Sequence, residues 1–112
     1  MSKFDEAIEL YTSEMNRLDL GCDADLLKKV AKGLGPSIYN RDASLVSTSD
    51  PEELARVKKN FLIKKLGMTD SSELDDAVKA VGEKFGKGNR NKHRAIYYYL
   101  LVKHFGMESH YA

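Results

Sequence analysis

The chain is short of cysteine, has no long apolar run and carries no excess of charge of one sign. Its 112 residues include a single cysteine, Cys22, which excludes an internal disulfide framework and a multi-cysteine zinc site and fits a reducing compartment. No apolar stretch approaches the ~20 residues needed to cross a bilayer, so no membrane partner is expected. Lys3, Asp5 and Glu6 are out of keeping with a signal peptide. With 18 Lys and Arg against 17 Asp and Glu, the formal net charge is +1, and hydrophobic residues make up 42%. That balance argues against disorder. The expectation is a cytoplasmic globular protein in which residues 1–112 form a single helical domain.

What the chain does contain is helical periodicity. Five amphipathic segments follow the 3.6-residue repeat. The first presents Phe4, Ala7, Ile8, Tyr11, Met15 and Leu18 on one face, with Ser2 placed to cap it. Asp23 can cap the second, whose face is Leu26, Leu27, Val30, Ala31 and Leu34, and Gly33, Gly35 and Pro36 stop it. The third has the clearest start: Asp50 as cap, Pro51 at the first helical position and Glu53 where a capping box needs it. Leu54, Val57, Phe61, Leu62 and Leu66 then form its face, and Gly67 ends it. The fourth begins near Ser71 or Ser72 and buries Leu74, Ala77, Val78, Val81 and Phe85 before Gly86.

The fifth segment, about Asn91 to Phe105, is ambiguous, because Tyr97, Tyr98 and Tyr99 favour strand. Its length, the Gly106 stop and the lack of a partner strand favour a helix that is apolar on nearly every side, hence the most buried one. The fold class expected is all-α, a compact single domain of about five amphipathic helices. Residues 35–49 are long for a connection inside such a domain. A short helical turn within Ser37–Leu45 that packs Ile38, Tyr39 and Leu45 is the economical reading, with a functional loop as the alternative. One internal echo stands out: residues 61–68 match residues 100–107 in pattern, each ending in an apolar residue, glycine and methionine. That is recurring helix-stop chemistry rather than a solenoid repeat.

Four stretches together resemble a known family: Met-Ser-Lys-Phe-Asp-Glu-Ala at the start, Lys32 to Asn40, Asn60 to Gly67, and Tyr98 to Lys103. The family is an uncharacterised one of small bacterial proteins, the domain of unknown function 2853, and the likeness spans nearly the whole chain. It implies a bacterial, compact, helical protein and brings no catalytic or binding residues with it.

Charge is distributed unevenly. Residues 1–56 hold 7 basic and 11 acidic side chains, whereas residues 57–112 hold 11 basic and 6 acidic. The densest run is 84–94, where Lys84, Lys87, Arg90, Lys92 and Arg94 occur with no acid. Straddling a turn into the fifth helix, these five are candidates for binding an anion or a nucleic-acid backbone. A solvated surface loop capped by Asn89 or Asn91 is the plain alternative. Lys32 to Pro36 has a distant look of a helix-hairpin-helix turn. The spacing from Leu27 and Val30 to Gly33 is one residue too long, however, and Tyr39 occupies a position that wants a small residue.

Chemistry of other kinds finds little footing. Cys22 precedes a helix start that favours thiolate, but Asp19, Asp23 and Asp25 oppose it. His93 and His104 are too far apart to share a metal, and His110 lies near the end of the chain. No catalytic residue, metal site or cofactor is expected, and the chain is read as leaning away from an enzyme, a site around Gly35–Asp50 being the remaining enzymatic option. Three successive tyrosines cannot all face one core. At least one should turn to solvent, a neighbouring helix or another chain, which makes Tyr97, Tyr98 and Tyr99 interface candidates. The reading is therefore a non-enzymatic binding protein. It works through contact with a protein partner or a second copy of itself, with nucleic acid as the alternative partner.

Overall fold

Ala95 to Val102 are eight consecutive apolar or aromatic residues, and a helix with no polar side needs neighbours all round it. The computed structural model, which describes residues 3–18, 23–39, 45–46, 50–85 and 92–107, is built on that requirement. Around α5 (Arg94–Phe105) are arranged α1 (Lys3–Arg17), α2 (Ala24–Leu34), α3 (Pro51–Val57) and α4 (Ser72–Lys84). A 3₁₀ turn (Gly35–Tyr39) follows α2, and a π-helix (Lys58–Lys65) continues α3 without a break. The fold is all-α; the one β feature among the described residues is an isolated antiparallel bridge between Leu45 and His93. All eight residues of 95–102 are buried.

The three tyrosines solve their geometric problem by taking three different neighbours. Tyr97 points to α4, where its ring stacks on Phe85 at 5.8 Å and its hydroxyl donates to the Val78 carbonyl. Burial holds that phenol well above its ordinary pKa, so it stays a donor. Tyr98 points to the π-helix and stacks on Phe61 with ring centroids 4.0 Å apart. Tyr99 reaches the start of α2, where its hydroxyl accepts a 2.8 Å hydrogen bond from the Asp23 backbone N–H. Each polar tip lands on a group that needs it, so three large rings are buried without an orphaned hydroxyl.

The helix ends follow the sequence signals closely. The Asp23 side chain accepts from the Leu26 N–H, and Asp50 accepts from the Glu52 N–H with Pro51 in the first turn. Gly35, Gly67 and Gly106 all have φ near +65 to +71°, a region other residues enter at a cost. The echo between residues 61–68 and 100–107 proves to be shared stop geometry. Met107 N–H bonds the Val102 carbonyl five residues back, and Met68 N–H bonds the Leu62 carbonyl six back. The additional residue in the earlier copy is accommodated by the wider π turn.

The structure corrects several local expectations. The third helix is not α throughout, because it changes to π winding at Lys58. Gly33 does not terminate α2 but lies inside it, and Gly35, with positive φ, caps its end. The turn after α2 spans Gly35–Tyr39 and buries Ile38, yet it leaves Tyr39 48% exposed. His93, rather than an asparagine, stands at the α5 N-cap. Asn89, Asn91, Gly86 and Ser2 lie outside the described residues.

Replacing Tyr99 with Phe removes the acceptor for the half-buried Asp23 N–H. A loss of ~1 kcal/mol in urea unfolding is expected, with faster amide exchange in the first turn of α2 and none of that acceleration in α4.

Candidate functional site

The π-helix opens a concave feature on the side facing α2. In an α-helix, residues five apart differ by about 140° around the axis. Bonding to the fifth residue widens the turn and narrows that angle to roughly 50°. Asn60 and Lys65 thus come to the same side as Phe61, and all three line a cleft of about 220 Å³. Val30, Gly33 and Leu34 of α2 form the facing wall, and Tyr98 of α5 completes it. The interior is aliphatic and aromatic. Its polar groups are the exposed Asn60 amide and Lys65 ammonium, and no acidic side chain lines it.

Gly33 matters here for a reason unrelated to backbone conformation. It sits in a regular helix, and a methyl group built on it would meet nothing closer than the Lys65 side chain, at 3.9 Å. The fold does not require glycine at this position. Its effect is to keep the wall of α2 low where the cleft opens.

Beside the cleft stands a polar cluster centred on Arg94. Its guanidinium donates to the Glu53 carboxylate at 2.5 Å, to the Tyr98 hydroxyl at 3.0 Å and to the Leu45 carbonyl at 3.3 Å. Both members of the ion pair are largely shielded, with side chains 16% and 14% exposed. Glu53 also accepts from Arg56 at 3.0 Å. Burial raises the Glu53 pKa, but the bonds from Arg94 and Arg56 outweigh it and leave the carboxyl below its ordinary value.

These contacts redistribute the residues singled out in the sequence. Of the five anion-binding candidates, Arg94 is turned inward and neutralised by Glu53, so it does not join an exposed basic patch. Lys84 is exposed at the end of α4, and Lys92 is half-buried next to the Leu45–His93 bridge. Lys87 and Arg90 lie outside the described residues. Among the interface candidates, Tyr97 and Tyr99 are interior at 0% and 2% exposure, and Tyr98 at 7% is the one that reaches the cleft. The sequence reading did not single out Asn60, Lys65 or Gly33 as site residues, because an α-helical projection scatters the first two.

Among the described residues the histidines build no metal site. His93 packs its ring on Tyr11 at 5.2 Å, and burial pushes its pKa down, with Glu14 partly opposing. Among the described residues, no cluster of three or more His, Cys, Asp or Glu side chains could hold a metal ion. Cys22, His110 and much of the Gly35–Asp50 segment lie outside the described residues. No described helix is long and apolar enough to cross a membrane.

The arrangement defines a class: a small all-α protein with one helix enclosed by the others and a cleft opened by a π turn. The chain belongs to the family described as Protein of unknown function (DUF2853), whose sequence model matches residues 10–109. No curated protein matches it.

Two outcomes test this description. A carboxyl whose folded-state pKa is depressed contributes stability that is present in full above the unfolded value, ~4.3, and is lost as pH falls through the folded value. Glu53→Gln is therefore expected to cost ~2 kcal/mol at pH 7, between the values for exposed and buried pairs. Urea midpoints of wild type and variant should converge as pH drops below about 4. Gly33→Ala, in contrast, should raise stability by ~0.5–1 kcal/mol through helix propensity alone, measured in the same urea titration at pH 7.

Proposed function

We propose that this is a non-enzymatic binding protein that works through protein–protein contact, the cleft between α2, the π-helix and α5 receiving a bulky apolar side chain of its partner. The cleft itself carries the reading. At about 220 Å³ it falls below the ~300–1,000 Å³ of sites that enclose a cofactor or drug-sized molecule, and it is sized for one anchoring side chain. Tyr98, stacked on Phe61, gives it an aromatic wall of the kind enriched at interfaces. Self-association through this surface is one form of the same contact. A bacterial cytoplasmic setting goes with the reading, resting on the family resemblance and on the single cysteine.

The test is site-directed photocrosslinking in a bacterial host, with a photoreactive residue at Asn60 on the cleft rim or at Lys79 on the exposed side of α4. Adducts are expected from position 60 and not from position 79, and Gly33→Leu, which fills the cleft, should suppress them. An adduct at twice the 12.6 kDa chain mass identifies a homodimer. Equal labelling from both positions, or none from position 60, overturns the proposal.

A further inference from the structure

The charge around the cleft points to the kind of side chain that neighbours the anchor. The π-helix Lys58–Lys65 contains four lysines and no acid, and α2 adds Lys28, Lys29 and Lys32 against Asp25. Lys58 is already engaged by Asp70 and Asp75, at 3.3 and 3.1 Å. Lys59, Lys64 and Lys65 are exposed and form no ion pair with a described residue. Lys65 lines the cleft and Lys64 precedes that residue in the chain, while Lys29 is exposed on α2 one helical turn before Gly33, outside the lining itself. Exposed lysines thus stand on both helices that frame the apolar slot, with Lys65 in the slot's own lining. A slot of that kind selects by charge at its rim and by shape within it.

We infer that the cleft recognises a peptide segment of a partner protein in which one large apolar side chain is flanked by carboxylates. This deepens the protein-contact reading and rests on it. The apolar side chain enters between Val30, Leu34, Phe61 and Tyr98, and removal of its surface from water supplies the affinity. Carboxylates on either side meet Lys65 and Lys29, while the Asn60 amide, which can donate and accept, is placed to bond the peptide backbone. The rim pairs are solvent-exposed, so they set preference more than strength, and salt weakens them.

The experiment is a backbone-amide NMR titration of the full chain with three capped tripeptides: Glu-Phe-Glu, Gln-Phe-Gln and Lys-Phe-Lys, at matched ionic strength. The expected result is saturable shifts centred on Gly33, Asn60, Phe61 and Tyr98. The Glu peptide should bind about three- to fivefold more tightly than the Lys peptide, the size of effect that one or two exposed ion pairs produce. Lys65→Gln, at an exposed position that leaves the core intact, should narrow that ratio, and Gly33→Leu should abolish the shifts for all three. Equal or tighter binding of the Lys peptide overturns the charge preference and leaves the anchor cleft standing. An absence of shifts with every peptide overturns both. Shifts of the same amides on raising protein concentration without peptide assign the cleft to a second copy of the chain and overturn the peptide assignment.

Discussion

The all-round burial of α5 is the constraint on which the rest of the structure depends. A helix whose residues 95–102 are all buried cannot rest on the edge of a bundle, so the other helices must surround it. Leu and Val could fill such a position, but tyrosines add a requirement of their own. Each hydroxyl must find a partner or its burial is penalised. Tyr97 meets the α4 backbone, Tyr99 the start of α2, and Tyr98 the Arg94 guanidinium. The bonds of Tyr97 and Tyr99 reach two other helices, while that of Tyr98 stays within α5, so two of the residues that fill the core also fix how surrounding helices sit on it.

Arg94 connects this interior to the edge of the molecule. It begins α5, where a positive charge opposes the helix dipole. The unfavourable placement is offset by Glu53 from the start of α3, where a negative charge suits the dipole. One ion pair therefore joins two helix N-termini, and its Arg94 also donates to the Leu45 carbonyl in the segment that precedes α3. A capping-box reading of Asp50 and Glu53 locates the beginning of α3, but the box does not form, because Asp50 accepts from the Glu52 N–H and Glu53 turns to Arg94 and Arg56. That reading gives no hint that Glu53 serves a residue 41 positions away.

The sequence was most informative where a physical requirement repeats locally. Apolar spacing located the first four helices, length and the Gly106 stop decided the fifth, and the glycines at 35, 67 and 106 marked stops that adopt positive φ. Cap residues Asp23 and Asp50 behave as their chemistry dictates. The cleft was less legible, because it depends on a change in winding. The buried set Val57, Phe61, Leu62 and Leu66 fits an α stripe well enough to hide the wider turn. The basic run at 84–94 was conspicuous by composition, but composition does not reveal that Arg94 faces inward. Nor does the tyrosine triplet reveal that three neighbours await it.

The comparison of the two glycine-terminated segments shows how small a change separates a structural helix from one that makes a site. Residues 61–68 and 100–107 share their apolar pattern and their stop, yet the closing hydrogen bond spans six residues in the first and five in the second. The extra residue widens the turn and brings Asn60 and Lys65 to the same side as Phe61, where all three line the cleft. In α5 the regular winding keeps Tyr97, Tyr98 and Tyr99 directed to separate neighbours, which is what an enclosed helix needs. In the segment after α3 that regularity is given up, and the cost of poorer hydrogen-bond geometry is borne by a helix at the surface rather than at the centre. The same location holds a helical glycine that the fold does not require. Two departures from the most stable local choice therefore meet at one cleft. Such concentrations are expected where a surface is shaped by what it contacts rather than by the stability of the chain alone.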